Sequence, residues 1–302
     1  MKSAHTSDQN STVTMDRKSV TENEWFFMLD GIFNTINHTM IGVVCIYTSW
    51  LCWINGFDKL YTWHVFLTLI GNSTVTMDRK SVTENEWFFM LDGIFNTINH
   101  TMIGVVCIYT SWLCWINGFE KLYTWHVFLT LIGYHLLMAE GIVLLYSGNG
   151  WTQKLTHSHK RTVHWLIEVV GCTCCVVGIA LEIYFRQSTN RRHFSSTHSI
   201  VGLISLVFLA LTLVNGLMAL FAADLRKRIR PIYSKLSHYL TGTVCYVLGM
   251  VAIVLAYEKK IYHQNTITEG ITMMTVFTIA VTVLSMVGVV KTMYNQFKTL
   301  AK

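Results

Sequence analysis

Between Trp125 and Tyr257 four apolar segments follow one another, each about as long as a bilayer is thick and each with a histidine near its first residue: Trp125-His126, His164-Trp165, His198-Ser199 and His238-Tyr239. An ionisable side chain inside a membrane segment is costly. Its recurrence at the same place in four successive segments asks for more than packing, and the pattern reads as a cage built around a cofactor.

The composition supports the membrane. Of 302 residues 52% are hydrophobic and 13% charged, and a soluble domain carries roughly twice that charged fraction. With Pro231 the only proline and apolar runs of about 20 residues, the chain is expected to be an all-α integral membrane bundle. The net charge of +6 is spread over short connections, which fits a cytoplasmic membrane face and not a nucleic-acid footprint. The first residues lack the pattern of a cleaved signal peptide, so the first apolar span is expected to direct insertion itself. All eight cysteines (Cys45, Cys52, Cys107, Cys114, Cys172, Cys174, Cys175 and Cys245) lie in apolar runs, where free cysteine behaves as a small hydrophobe.

The chain also repeats itself. Asn10 to Gly71 and Asn72 to Gly133 are the same 62 residues, differing only at Asp58 against Glu120. Solenoid repeats drift, so this identity points to a recent duplication or to an error in assembling the coding sequence. Copy two runs on from Trp125-His126 through Tyr146 as a complete span, whereas copy one re-enters polar sequence after Trp63 to Gly71, too short a run to cross the hydrocarbon. His64 therefore duplicates His126 in sequence only. Spans are expected at 98–117, 125–147, 163–185, 198–222, 236–257 and 270–293, with one further helix of copy one near 37–57. The implied organisation is a duplicated segment over 1–71 outside the core, a polar tail over 72–97, a six-helix domain over 98–293 with a four-helix core, and a short cytoplasmic tail over 294–302.

Short connections make neighbours antiparallel, and lysine and arginine counts orient them. One side holds Lys154, Lys160, Arg161, Arg226, Lys227, Arg228, Arg230, Lys235, Lys291, Lys298 and Lys302; the other holds Lys121, Arg186, Arg191, Arg192, Lys259 and Lys260. The richer side, with the C-terminus, is expected in the cytoplasm. His126 and His198 then lie at the non-cytoplasmic end, and His164 and His238 at the cytoplasmic end.

Two facing imidazoles supply the two axial bonds of an iron porphyrin, whereas zinc usually takes four converging ligands. No Cys-x-x-Cys-His occurs, which argues against covalent haem attachment. Gly202 and Gly242 follow their histidines at i+4, and Gly133 and Gly171 at i+7. These offsets put glycine on the histidine's own face, where a side chain would collide with a flat macrocycle; glycine at such spacing also permits close helix packing.

These residues carry a resemblance. Trp125-His126, Leu137-Met138-Ala139-Glu140, His164-Trp165, Ser196-Thr197-His198-Ser199-Ile200-Val201-Gly202 and His238 with Gly242 make the stretch 98–293 similar to the cytochrome b561 family, above all to its short members. The resemblance implies six helices and two non-covalent haems b, with His126/His198 and His164/His238 as axial pairs. It implies transmembrane electron transfer from cytoplasmic ascorbate to monodehydroascorbate or ferric iron, as an ascorbate-dependent oxidoreductase of an endomembrane (endoplasmic reticulum or vesicle) or plasma membrane, lipid-embedded and compatible with a homodimer. Proline is missing after Trp125-His126, His135 stands where an apolar residue is usual, and Thr212 and Asn215 are polar departures.

Ascorbate is anionic, so Lys160, Arg161 and Lys235 are expected near its entry, with topology marking as the competing role. Arg191, Arg192 and His193 are the corresponding candidates on the far side. His135 is expected to hydrogen-bond a neighbouring helix, and Glu140 and Glu168 to relay protons, meet haem propionates, or bond across helices in protonated form. His38, His100, His157, His159 and His263 are expected at the interface, as are Trp25, Trp87, Tyr123, Trp125, Trp151, Tyr233 and Tyr262. The rival function is a proton or divalent-metal transporter with a polar path through the middle of the membrane.

Overall fold

The computed structural model describes residues 84–146, 149, 152 and 155–300, with side chains from Ile94 onward. Copy one with its helix near 37–57, His38, His64, Trp25, Cys45, Cys52, Trp151 and Lys154 lie outside the described residues, as does the side chain of Trp87. The chain divides into two compact units, 1–97 with 147–161, and 98–146 with 162–302. In the first, Asn96 donates from Nδ2 to Asn149 Oδ1 at 3.2 Å. The packing described below is that of the second.

Among the described residues all regular structure is helical: α1 Glu84–Asn117, α2 Leu122–Val143, α3 His157–Ser188, α4 Thr197–Leu220, α5 Pro231–Ala256, the short α6 Lys260–His263 and α7 Thr268–Leu300. Five of them, α2, α3, α4, α5 and α7, are long and apolar enough to cross a membrane. The shortest, α2, has 22 residues and spans about 33 Å, against about 30 Å of hydrocarbon. Helix α1 has 34 residues but is not among the five, because Asn96, Asn99 and His100 dilute its apolar character.

Local chemistry sets the boundaries. Gly118, at φ +82°, ends α1 in the left-handed region that glycine adopts without strain. At the head of α4 the Ser196-Thr197-His198-Ser199 run is a capping box: Ser199 N donates to Ser196 Oγ at 3.4 Å and Ser196 N to Ser199 Oγ at 3.1 Å, which fixes the turn that carries His198. Pro231 opens α5 at the position where its missing N–H costs nothing. Within α2 the stretch Ile132–Met138 is π-helical.

The central helices form two antiparallel hairpins with matching registers. In α2–α3, His126 faces Gly178 and His164 faces Gly141; in α4–α5, His198 faces Ala252 and His238 faces Thr212. Helices α1 and α7 flank this core. Asn99 Nδ2 donates to Ser285 Oγ at 3.2 Å, His100 bonds Glu140 through Nδ1, and Tyr257 and Thr278 share a 2.7 Å hydroxyl bond. Ile103, Leu131, Leu209, Met250, Met274 and Val281 fill the space between.

Two expected interface residues are buried instead. His100 is 4% exposed because it pairs with the Glu140 carboxylate, and Tyr262 is 2% exposed with its ring on Tyr257 at 5.0 Å. His263, Trp125 and Tyr233 are exposed, and Tyr123 is half-buried. The six described cysteines are free thiols, all buried except the half-buried Cys174.

Candidate cofactor site

The four histidines are tied down in one way. Nδ1 of His126 lies 3.0 Å from Gly178 O, that of His164 2.7 Å from Gly141 O, that of His198 2.8 Å from Ala252 O, and that of His238 3.3 Å from Thr212 O. A carbonyl only accepts, so each Nδ1 carries the proton and donates. Each neutral ring then keeps Nε2 as a bare lone pair. The carbonyls belong to glycine, glycine, alanine and threonine, whose small side chains let the rings reach them. A backbone carbonyl behind a ligating imidazole fixes its tautomer and orientation.

The rings then meet in two pairs of the same geometry. The centroids of His126 and His198 are 6.2 Å apart with planes at 80°, and those of His164 and His238 are 6.2 Å apart with planes at 80°. A metal between two imidazoles needs about 2 Å per metal–nitrogen bond, plus about 1 Å from each nitrogen to its ring centre, so a spacing of about 6 Å admits one iron. Among the described residues no three His, Cys, Asp or Glu side chains converge as a metal site, so each end offers two nitrogens. The donor set fits two bis-histidine haems.

Each of the four histidines lies about fourteen residues from the carbonyl level of the other pair: His164 to Gly178, His198 to Thr212 and His238 to Ala252, with fifteen from His126 to Gly141. At 1.5 Å per residue the two pairs are about 21 Å apart along the bundle.

The glycines divide by role. A Cβ added at Gly202 would have only Ala252 Cβ within 4.0 Å, and one at Gly242 only Thr212 Cγ2 at 3.5 Å; both leave the helix flank open beside a histidine, room that a macrocycle would need. A Cβ at Gly133 would collide with Cys175 Sγ and stand 2.9 Å from Gly171 O. At i+7, about 10 Å deeper, Gly133 and Gly171 hold α2 against α3 midway between the pairs.

Of the other candidates, His135 is fully buried, with Nε2 3.4 Å from Thr278 Oγ1 and Nδ1 3.9 Å from Cys107 Sγ, an interhelical bond and not a metal site. Glu168 stands 3.8 Å from His164 Nδ1, farther than the Gly141 carbonyl. Lys160 is buried and Arg161 exposed in the first unit, and Lys235 is exposed on α5 in the second. On the α3–α4 loop Arg191, Arg192 and His193 are exposed, with Arg191 5.4 Å over the Phe185 ring. Arg186, which the sequence reading used only as a topology marker, bonds Glu182 Oε1 from Nε at 2.6 Å and the Arg192 carbonyl from Nη1 at 2.8 Å. Its i,i+4 spacing from Glu182 was the visible signal.

Residues 125–264 match the eukaryotic cytochrome b561 family model. All four histidines lie inside that stretch, while α1 and α7 lie outside it. The chain is also similar to curated b561 reductases. The transmembrane reductase CYB561D2 of Mus musculus is 24% identical over 151 residues, 50% of this chain and 67% of the relative, and that of Bos taurus 23% over 175 residues, 58% and 78%. The lysosomal membrane ascorbate-dependent ferrireductase CYB561A3 of Mus musculus is 21% identical over 184 residues, 58% of this chain and 73% of the relative.

Proposed function

We propose that this chain is a multi-pass membrane oxidoreductase that carries electrons across the bilayer through two haems b, one held by His126 and His198 and the other by His164 and His238. The observation that carries this reading is the repeated pair geometry: two bare Nε2 atoms at each end, rings 6.2 Å apart, every Nδ1 committed to a carbonyl. Iron porphyrin supplies a one-electron ferric/ferrous couple. The protein's part is to keep each Nε2 unprotonated and aimed, through the carbonyls of Gly178, Gly141, Ala252 and Thr212, and to separate the two ends by a buried core.

The donor in this reading is cytoplasmic ascorbate, and the acceptor on the opposite side is monodehydroascorbate or ferric iron. A mouse relative whose name specifies an ascorbate-dependent ferrireductase supports that choice. The lysine and arginine distribution supports a cytoplasmic position for the His164/His238 end and the C-terminus. Arg161 and Lys235 each stand three residues before a ligand of that end, with Lys160 beside Arg161; they are our candidates for attracting the ascorbate anion.

Proteoliposomes loaded with ascorbate and surrounded by ferricyanide test this function. Ferricyanide should be reduced only in vesicles that contain the protein; equal reduction in empty vesicles contradicts it. Arg161→Gln with Lys235→Gln should slow reduction by ascorbate about tenfold, from about 1 kcal/mol or less per cation, with an unchanged visible spectrum. An unaltered rate would return both residues to marking topology.

A further inference from the structure

Midway between the histidine pairs, the four central helices contribute Gly133, Gly171, Ser205 and Cys245, each seven residues beyond its own helix's ligand and therefore on the same helical face. Three are the small residues of a tight crossing: α2 and α3 touch at Gly133 and Gly171, and Ser205 Oγ lies 2.8 Å from Cys245 O across α4 and α5. An aromatic side chain enters this layer beside Leu137 and Met138, which pack at Gly171. Tyr134 is 4% exposed, and its ring lies so closely on Gly249 that a Cβ there would overlap it.

The Tyr134 hydroxyl is 2.9 Å from Ser205 Oγ. Serine has one proton and the Cys245 carbonyl can only accept, so Ser205 donates to Cys245 and Tyr134 donates to Ser205. A buried hydroxyl is thus fully committed, and the ring cannot swing. The backbone is specialised at the same point. The π-turn Ile132–Met138 inserts one residue beyond the α-helical count, which accounts for the fifteen residues from His126 to Gly141 against fourteen on the other three helices. The same turn carries Tyr134, whose ring reaches Gly249 of α5 and whose hydroxyl reaches Ser205 of α4. π-turns occur frequently at functional sites, and haem ligation does not require a tyrosine here.

We propose that Tyr134 is the side chain through which the electron passes between the two haem positions, with Ser205 and Gly249 as its positioning residues; this rests on the di-haem reading above. An iron held by one histidine pair would give up one electron and an iron held by the other would take it, so the transfer balances without a further oxidant or reductant. Tyr134 ends unchanged, its proton held in the bond to Ser205. Its ring fills the gap with close-packed π-bearing atoms in place of a void or a smaller aliphatic group, and so strengthens the electronic coupling across the layer.

The test uses the full chain in nanodiscs with both haems bound: one haem is reduced by a pulse and transfer to the other is followed optically. Tyr134→Leu should slow transfer on the order of tenfold, because it leaves a gap in a close-packed layer. Haem content, spectra and both midpoint potentials should be unchanged, which a merely structural role would not leave so. Tyr134→Phe, which keeps the ring against Gly249, should restore most of the rate. If the leucine variant fails to retain both haems, Tyr134→Met, which refills the volume without a ring, is measured instead. Wild-type transfer in the non-aromatic variant, or a changed rate that follows only from shifted potentials, overturns the proposal. A wild-type protein without two haems overturns the di-haem reading instead, so the two failures are distinguishable.

Discussion

His164→Ala is expected to yield a folded protein that has lost one of two b-type haems and whose transmembrane electron transfer has fallen more than about 100-fold, since even outer partners of a metal ligand are worth 10- to 100-fold. The variant deletes one axial nitrogen and releases the Gly141 carbonyl that had oriented it. His238, its ring partner at 6.2 Å, keeps a lone pair but has nothing opposite. Because transfer needs both haems in series, loss of either stops it. The variants should group by ring pair and not by hairpin: His238→Ala should bleach the same bands as His164→Ala, and His126→Ala the same bands as His198→Ala. Reduced-minus-oxidised spectra of the four purified variants check this, and matching losses within α2–α3, from His126→Ala and His164→Ala, would show the pairing to be wrong.

Gly133→Val should be as damaging without touching a ligand. An added Cβ stands 2.9 Å from Gly171 O and 3.2 Å from Cys175 N, both backbone atoms that move only if α3 moves. Forcing them apart should cost about 3 kcal/mol, the upper range for overpacked sites. Each hairpin contributes one ligand to each pair, so a displaced α3 should lower occupancy at both ends together. Gly202→Val is the contrast: its Cβ would meet only Ala252 Cβ, at 4.0 Å, so helix content and thermal stability should hold while the haem of the adjacent His198 and its partner His126 is lost selectively. Circular dichroism melts with haem quantification separate the two. Equal behaviour of the two variants would mean that Gly202 serves packing as Gly133 does.

The juxtaposition of the histidine rings was legible in the chain because it depends on helix direction and spacing alone: four histidines near the starts of antiparallel helices must segregate to two ends. The glycines were half legible. Gly202 and Gly242 lie one turn from a paired histidine, where the open flank is, but an offset of seven, about 10 Å, reaches the midplane, so Gly133 and Gly171 became a helix contact. The π-turn in α2 was not legible, since one extra residue leaves the apolar pattern of Leu122–Val143 intact and shows only in the register against α3. His100 was misplaced because its partner, Glu140, lies forty residues on, and burial of a pair across two helices has no local signature. Lys160, Arg161 and Lys235 were selected by charge and position, which mark a helix end and an anion site alike.

The central claim is that each chain holds two bis-histidine haems. The measurement that tests it most directly is the haem-to-protein ratio of the purified full-length chain, from its pyridine haemochrome and dithionite-reduced spectrum. The account predicts two b-type haems per chain; a colourless protein, or a single haem per chain when fully loaded, would contradict it.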